Sequence, residues 1–203
     1  MRFRRHLGRA AVMIAAITAT ACAPDGSTVR TITGIRSDPA PSVAGLALPD
    51  ASADGDDFTL VPDAGRYLVV YFGYTACPDV CPTTMHEVEV ALRELGERAA
   101  LVDVAMVTID PARDLSEPLT RYVQGFVPAA HALRTDDDAL LREAADSFGA
   151  SFTVSTAADG TVEVGHTPNL YLVDDTGSLV LTWPFGLPGA SIANDLEILM
   201  EAP

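Results

Sequence analysis

An unbroken apolar run, Tyr67-Leu68-Val69-Val70-Tyr71-Phe72, ends at Gly73 and is followed at once by a turn carrying Cys77 and Cys81. A short run rich in valine and aromatics suits a strand buried on both faces, and glycine breaks it. Such a strand suits the centre of a sheet, and the alternation of strands and helices further along the chain points to an α/β fold. Pro82 suits the first position of a helix, where its missing N–H would have had no partner, and it biases Cys81 toward a capping conformation. The two cysteines therefore sit between the carboxyl end of a strand and the start of a helix. A thiol there faces unpaired N–H groups and the positive end of the helix dipole, which favours thiolate, the form that attacks disulfides and binds metals.

Spacing separates redox from metal chemistry only in part. An i, i+4 pair on a helix has its Cβ atoms about 5–6 Å apart, whereas a relaxed disulfide holds them at about 3.8 Å. A disulfide needs the turn to tighten, while a metal bonded to each sulfur at about 2.3 Å spans the wider gap. Soft thiolates select Cu(I), zinc or iron–sulfur clusters, and two cysteines are too few for a cluster. A purely structural disulfide would close a very short loop, where cross-linking gains least.

The amino terminus sets the compartment. Arg2, Arg4, Arg5 and Arg9 precede the apolar run Ala10 to Ala21, which is too short to span a bilayer and ends in small residues before Cys22. Residues 1–21 read as a signal peptide. The order Ala19-Thr20-Ala21-Cys22 resembles a bacterial lipobox, so Cys22 is expected to be acylated and to anchor the chain, with ordinary secretion as the alternative. With Cys22 assigned, Cys77 and Cys81 are the remaining pair of the three cysteines, and no multi-disulfide scaffold can be built. The net charge of −15 becomes more negative once the four signal arginines are removed, which disfavours nucleic acid and anionic headgroups as partners.

Residues 22–43, rich in Pro, Gly, Ser, Thr and Asp, read as a flexible tether, and residues 44–203 as one domain. A hairpin is expected around Leu46 to Pro62, then the Tyr67–Phe72 strand and a helix from Pro82 to about Arg98 in which Met85, Val88, Leu92 and Leu95 recur at helical spacing. That places Met85 in the core rather than on a metal. A strand over Leu101 to Ile109, a helix over Ser116 to Phe126, a short strand at His131 to Arg134 and a helix over Asp137 to Phe148 follow. Val162 to Val164, Asn169 to Val173 and Leu179 to Trp183 read as strands, with Asp174-Asp175-Thr176-Gly177 as a hairpin turn, and a helix over Ala190 to Met200 closes a mixed sheet flanked by helices. Sites in open α/β sheets lie at strand carboxyl ends, where the cysteines are.

Of four histidines, His6 lies in the signal, His86 points off the Cys77/Cys81 face toward solvent, and His131 starts a strand at the surface. His166, in the connection before the next core strand and held by Pro168, is the candidate third ligand, since imidazole commonly completes a thiolate copper site.

Phe72-Gly73-Tyr74-Thr75-Ala76-Cys77-Pro78-Asp79-Val80-Cys81-Pro82-Thr83-Thr84 resembles the signature of the Sco/SenC proteins, thioredoxin-fold copper chaperones for assembly of cytochrome c oxidase. Val107 to Asp114 is similar to the family's second segment, and His166 with Tyr171-Leu172-Val173-Asp174 to its histidine segment. The resemblance implies a thioredoxin-like fold with an amino-terminal β-hairpin extension. It also implies copper, as Cu(I) or Cu(II), on Cys77, Cys81 and His166. The family often has an acidic residue where this chain has Gly165, so a contact supporting the histidine is either lost or supplied by Glu163. Neither Asp79, between the cysteines, nor Asp110, before a proline, is expected to be a ligand.

Three functions from different classes fit this reading. One is a lipid-anchored copper metallochaperone on the outer face of the cell membrane, passing copper to the copper-bearing subunit of cytochrome c oxidase and depending on an extracytoplasmic thiol reductant. Another is a thiol–disulfide reductase in which Cys77 and Cys81 cycle through a disulfide, for which His166 is not needed. A copper sensor or store is the third reading.

Overall fold

The computed structural model describes residues 30–201, so the expected signal peptide and Cys22 lie outside the described residues. In chain order the elements are β1 (Ala47–Asp50), β2 (Asp56–Thr59), β3 (Tyr67–Gly73), α1 (Val80–Leu95), β4 (Val102–Thr108), α2 (Ser116–Phe126), β5 (His131–Leu133), α3 (Asp138–Ser147), β6 (Phe152–Thr156), β7 (Val162–His166), β8 (Leu170–Asp174), β9 (Leu179–Trp183) and α4 (Gly189–Glu201). A seven-stranded sheet runs β2-β1-β5-β4-β3-β8-β9, and β6-β7 form a separate hairpin. β3 pairs parallel with β4, and β4 with β5, while β8 and β9 add antiparallel beside β3. This is the thioredoxin-like α/β arrangement that the resemblance implied, with the expected hairpin β1-β2 on its edge.

The apolar run in β3 is continuous because both faces of the strand are covered. Leu68, Val70 and Phe72 face Leu141, Ala144 and Phe148 of the α3 side, whereas Val69 and Tyr71 face Met85 and Val88 of α1, Leu119 and Val123 of α2, and Ile192 and Leu196 of α4. Each such side chain contributes about 1.5–3 kcal/mol on burial. Met85 lies in this core with no exposed surface, as its helical spacing predicted. α3 starts where expected because the Asp137 carboxylate accepts the N–H groups of Ala139 and Leu140. Gly189 lets α4 cross α1 closely, since a Cβ there would come within 2.5 Å of the Glu87 carbonyl oxygen.

Two expectations change. The second half of the expected tether is docked: Ile35 exchanges backbone hydrogen bonds with Thr182 of β9, and Val43 is buried. The physical reason is Asp195 of α4, a fully buried carboxylate that accepts the N–H groups of Thr33 and Gly34 at 2.8 and 2.7 Å. The strand β6 was not anticipated, because its sequence is mostly polar and its side chains mostly exposed, leaving no apolar period to read.

A candidate metal centre at the carboxyl end of β3

β3 gives way to the cysteine turn at Gly73, where a Cβ would lie 2.5 Å from the Tyr71 ring and 3.1 Å from the Met106 methyl. The register with β4 continues through a bond from Ile109 N–H to the Gly73 carbonyl, and the chain then turns, with Cys77 N–H reaching the Tyr74 carbonyl at 3.4 Å. α1 begins at Val80, two residues earlier than expected, so Cys81 and Pro82 both lie inside its first turn and Cys81 is not the cap. Pro82 is still tolerated there, as the first four N–H groups of a helix lack intrahelical partners. Asp79 stands at the cap position but makes no side-chain cap bond. The sulfur of Cys77 takes that role, accepting the N–H of Cys81 at 3.2 Å.

His166 arrives from the opposite direction as the last residue of β7, paired with Phe152 of β6. Thr167 N–H then donates to the Ser151 carbonyl at 2.9 Å, closing the hairpin beneath the ring. The ring sits 3.8 Å by Nε2 from Cys81 Sγ, and one donor atom from each of Cys77, Cys81 and His166 lies within 4.8 Å of the others. Among the described residues this is the group of side chains whose donor atoms are close enough together to share a metal ion. His166 Nδ1 is 3.2 Å from the Thr167 carbonyl, an acceptor, so the proton belongs on Nδ1 and the Nε2 lone pair faces the sulfurs. The rings of Tyr71 and Tyr74 meet the imidazole edge-on at 6.1 and 6.0 Å.

Electrostatics divide the two thiols. Burial pushes Cys77 up, but bonds from the Cys81 N–H and thiol, the Asp79 N–H and Tyr74 outweigh it, and Cys77 is held below the ordinary thiol value. Cys81 is fully buried, and burial pushes its thiol up to about 12. The expected lowering of a thiol at the helix start thus holds for Cys77, the half-exposed residue ahead of the helix, and not for Cys81. Burial also lowers His166, which keeps the imidazole neutral and its nitrogen free to donate. Two sulfurs and one neutral imidazole at this separation suit a soft ion, because metal bonds of about 2.0–2.3 Å bridge donors spaced this way.

The remaining candidates fall elsewhere. His86 is exposed beside Glu89, as expected. His131 is not simply a surface residue: its Nδ1 lies 2.6 Å from the buried carboxylate of Asp50 and its ring stacks on Phe58 at 4.0 Å. Asp79 is exposed, and Asp110 is buried and paired with Arg113. Glu163 is also exposed and lies an odd number of positions from His166 along β7, on the other face, so it does not substitute for the acidic residue replaced by Gly165. The Thr167 carbonyl supports the imidazole instead. Asp114 was missed, although it closes the second family segment: it is fully buried and binds Thr75 in the cysteine turn.

The SCO1/SenC family model matches residues 51–201, which hold both the cysteine turn and His166. The chain belongs to the SCO1/SenC family. Human SCO2 homolog, mitochondrial, is 30% identical over 144 residues, covering 64% of this chain and 54% of that one. The match spans between 39% and 65% of the length of such curated relatives. The solution structure of apo Sco1 from Thermus thermophilus superposes with a TM-score of 0.74 at 31% identity, over 85% of this chain and 99% of that one. Bradyrhizobium japonicum ScoI with copper bound gives 0.65 at 29% identity, over 75% and 96%. No helix among the described residues of this SCO1/SenC protein is long and apolar enough to cross a membrane.

Proposed function

We propose that this SCO1/SenC protein is a copper metallochaperone, held at the extracytoplasmic face of the cell membrane through an acylated Cys22, that delivers copper to the dinuclear copper centre of cytochrome c oxidase. The observation that carries this reading is the convergence of Cys77, Cys81 and the Nε2 of His166 within 4.8 Å. A protein of the same fold is described as one of the Sco family of cytochrome c oxidase assembly proteins, and the Bradyrhizobium relative binds copper. Here copper is cargo: the two thiolates and the imidazole hold the ion, and the recipient's own sulfur and nitrogen donors replace them one at a time. Loading requires both cysteines reduced, which makes an extracytoplasmic thiol reductant a necessary partner. The reduced protein is expected to bind one copper, and Cys81→Ser and His166→Ala to bind it far more weakly. Wild-type stoichiometry and affinity in Cys81→Ser would overturn the assignment. Loss of Cys22 by substitution to Ser is expected to release the protein from the membrane fraction.

The inequality of the two thiols favours a second reading, a thiol–disulfide reductase. An accessible Cys77 held toward thiolate is a fit attacking group, and a buried Cys81 a fit resolving one. His166 separates the two readings. If His166→Ala abolishes oxidase maturation while leaving the reduction potential of the cysteine pair unchanged, delivery is the function; full maturation in that variant would favour the reductase.

A further inference from the structure

Asp114 is a carboxylate with no exposed surface, lying outside the metal-binding triad. Burying a carboxylate is costly unless its oxygens are hydrogen-bonded, and here three neutral donors converge on it. Thr108, the last residue of β4, donates its hydroxyl at 2.6 Å, and Thr75 donates both its N–H, at 3.0 Å, and its hydroxyl. The Asp114 backbone is itself fixed on the scaffold side. Its N–H reaches the Asp110 carbonyl at 2.9 Å, and its carbonyl accepts Arg134 Nε at 2.9 Å, while Arg134 also binds the Pro111 carbonyl. Asp114 is therefore anchored to the sheet and reaches out to a single residue of the cysteine turn by two bonds, which fixes both the position and the orientation of Thr75. The turn's own bond from Cys77 N–H to Tyr74 is long at 3.4 Å and cannot impose the same constraint.

We propose that Asp114 is a positioning residue for the metal centre, acting through Thr75 to hold the cysteine turn so that Cys77 stays within reach of Cys81 and His166. This rests on the copper reading of those three residues. The neighbouring Arg113 adds to the same frame, its guanidinium lying 5.9 Å from the centroid of the Tyr74 ring.

The test compares full-length Asp114→Ala, Asp114→Asn, Thr75→Val and Thr75→Ser with wild type, reading Cu(I) affinity by chelator competition, amide hydrogen exchange at residues 74–77 in the metal-free protein, and thermal stability. Asp114→Ala is expected to weaken Cu(I) binding about tenfold or more, with Asp114→Asn recovering most of the loss because it keeps an acceptor oxygen and the shape. Thr75→Val is expected to weaken binding and speed exchange at 74–77 with little change in melting temperature, and Thr75→Ser to match wild type. Leu179→Ala, a buried residue of β9 in register with the start of β3 at the opposite end from the turn, is expected to lower stability and keep wild-type affinity. Wild-type affinity and exchange in Thr75→Val would overturn the proposal, as would a Leu179→Ala variant whose affinity falls in step with its stability. If the wild-type protein binds no Cu(I), the copper reading fails, yet faster exchange at 74–77 in Thr75→Val still supports the positioning role and unchanged exchange refutes it.

Discussion

The backbone N–H of Cys81 donates to the sulfur of Cys77 at 3.2 Å, so one cysteine of the pair caps the helix that carries the other. A sulfur accepting a helix N–H is stabilised as thiolate, while the thiol inside the helix, facing the core, is not. The turn thus produces two unlike thiols from a near-symmetric sequence.

The inequality predicts ordered alkylation of the metal-free, reduced protein. Cys77 is held below 9.0 and Cys81 pushed up to about 12, so at neutral pH iodoacetamide should modify Cys77 faster by more than about tenfold. The Cys77 rate should reach half its plateau below pH 9.0, and the Cys81 rate should still be rising there. Peptide mapping of the modified protein at several pH values checks this, and equal rates at the two sites would contradict it.

Asp50 predicts a component of acid sensitivity. Burial alone would raise its carboxyl, but bonds from Ser52 and His131 outweigh burial and hold it below 3.8. For a carboxyl with a depressed folded value, the stabilisation is complete above the unfolded value and is lost as pH falls through the folded one. Stability should therefore drop below about pH 4, and Asp50→Asn should flatten that drop while costing about 1–3 kcal/mol at neutral pH. Urea unfolding across pH 3 to 7 reads both effects; an unchanged acid limb in the variant would remove Asp50 as its source.

The docked segment before β1 predicts that residues 30–36 belong to the folded domain. Asp195 binds Thr33 and Gly34 N–H groups and, at 2.9 Å, Nε1 of Trp183, the one tryptophan of the chain. A chain beginning at residue 37 leaves that buried carboxylate with two donors fewer, and bonds to charged groups contribute about 1.5–3 kcal/mol each. Truncation should cost about 3 kcal/mol and shift the Trp183 fluorescence, whereas a free tether would change neither.

What was legible in the sequence follows from how strongly one physical force acts at each place. β3, β4, α1 and α2 could be read because apolar period alone fixes them, and the cysteine turn because two soft donors between a strand and a helix admit few chemistries. The docked segment could not be read, since its attachment depends on Asp195, a residue more than a hundred positions away that looks like any acid on a helix. β6 hides for the opposite reason, having too little apolar character to show a period. Asp114 and the Asp50–His131 pair escaped because a buried carboxylate is recognised only by the donors that the fold brings to it. His166 was reached by setting aside the other histidines and by its likeness to the family's histidine segment, whereas the strand partner that places it, Phe152, gave no sign of its role.

Met85 offers the sharpest separation of core from site, because it lies on the same helix as Cys81, one turn further on, and carries a sulfur that copper would accept. Its thioether is packed with no exposed surface among Val88, Tyr71 and Leu119, on the sheet side of α1. Removing the side chain leaves a cavity in that core, and Met85→Ala is expected to cost about 2–5 kcal/mol, with Met85→Leu costing less than about 1.5 kcal/mol because volume is conserved. Neither change removes a donor atom of Cys77, Cys81 or His166, so copper stoichiometry should stay at the wild-type value in both at temperatures where they are folded. Denaturant unfolding and copper analysis on the same preparations decide the matter. A Met85→Leu protein that keeps its stability but loses copper would make the thioether a ligand and place a fourth donor beside the three that the turn and β7 bring together.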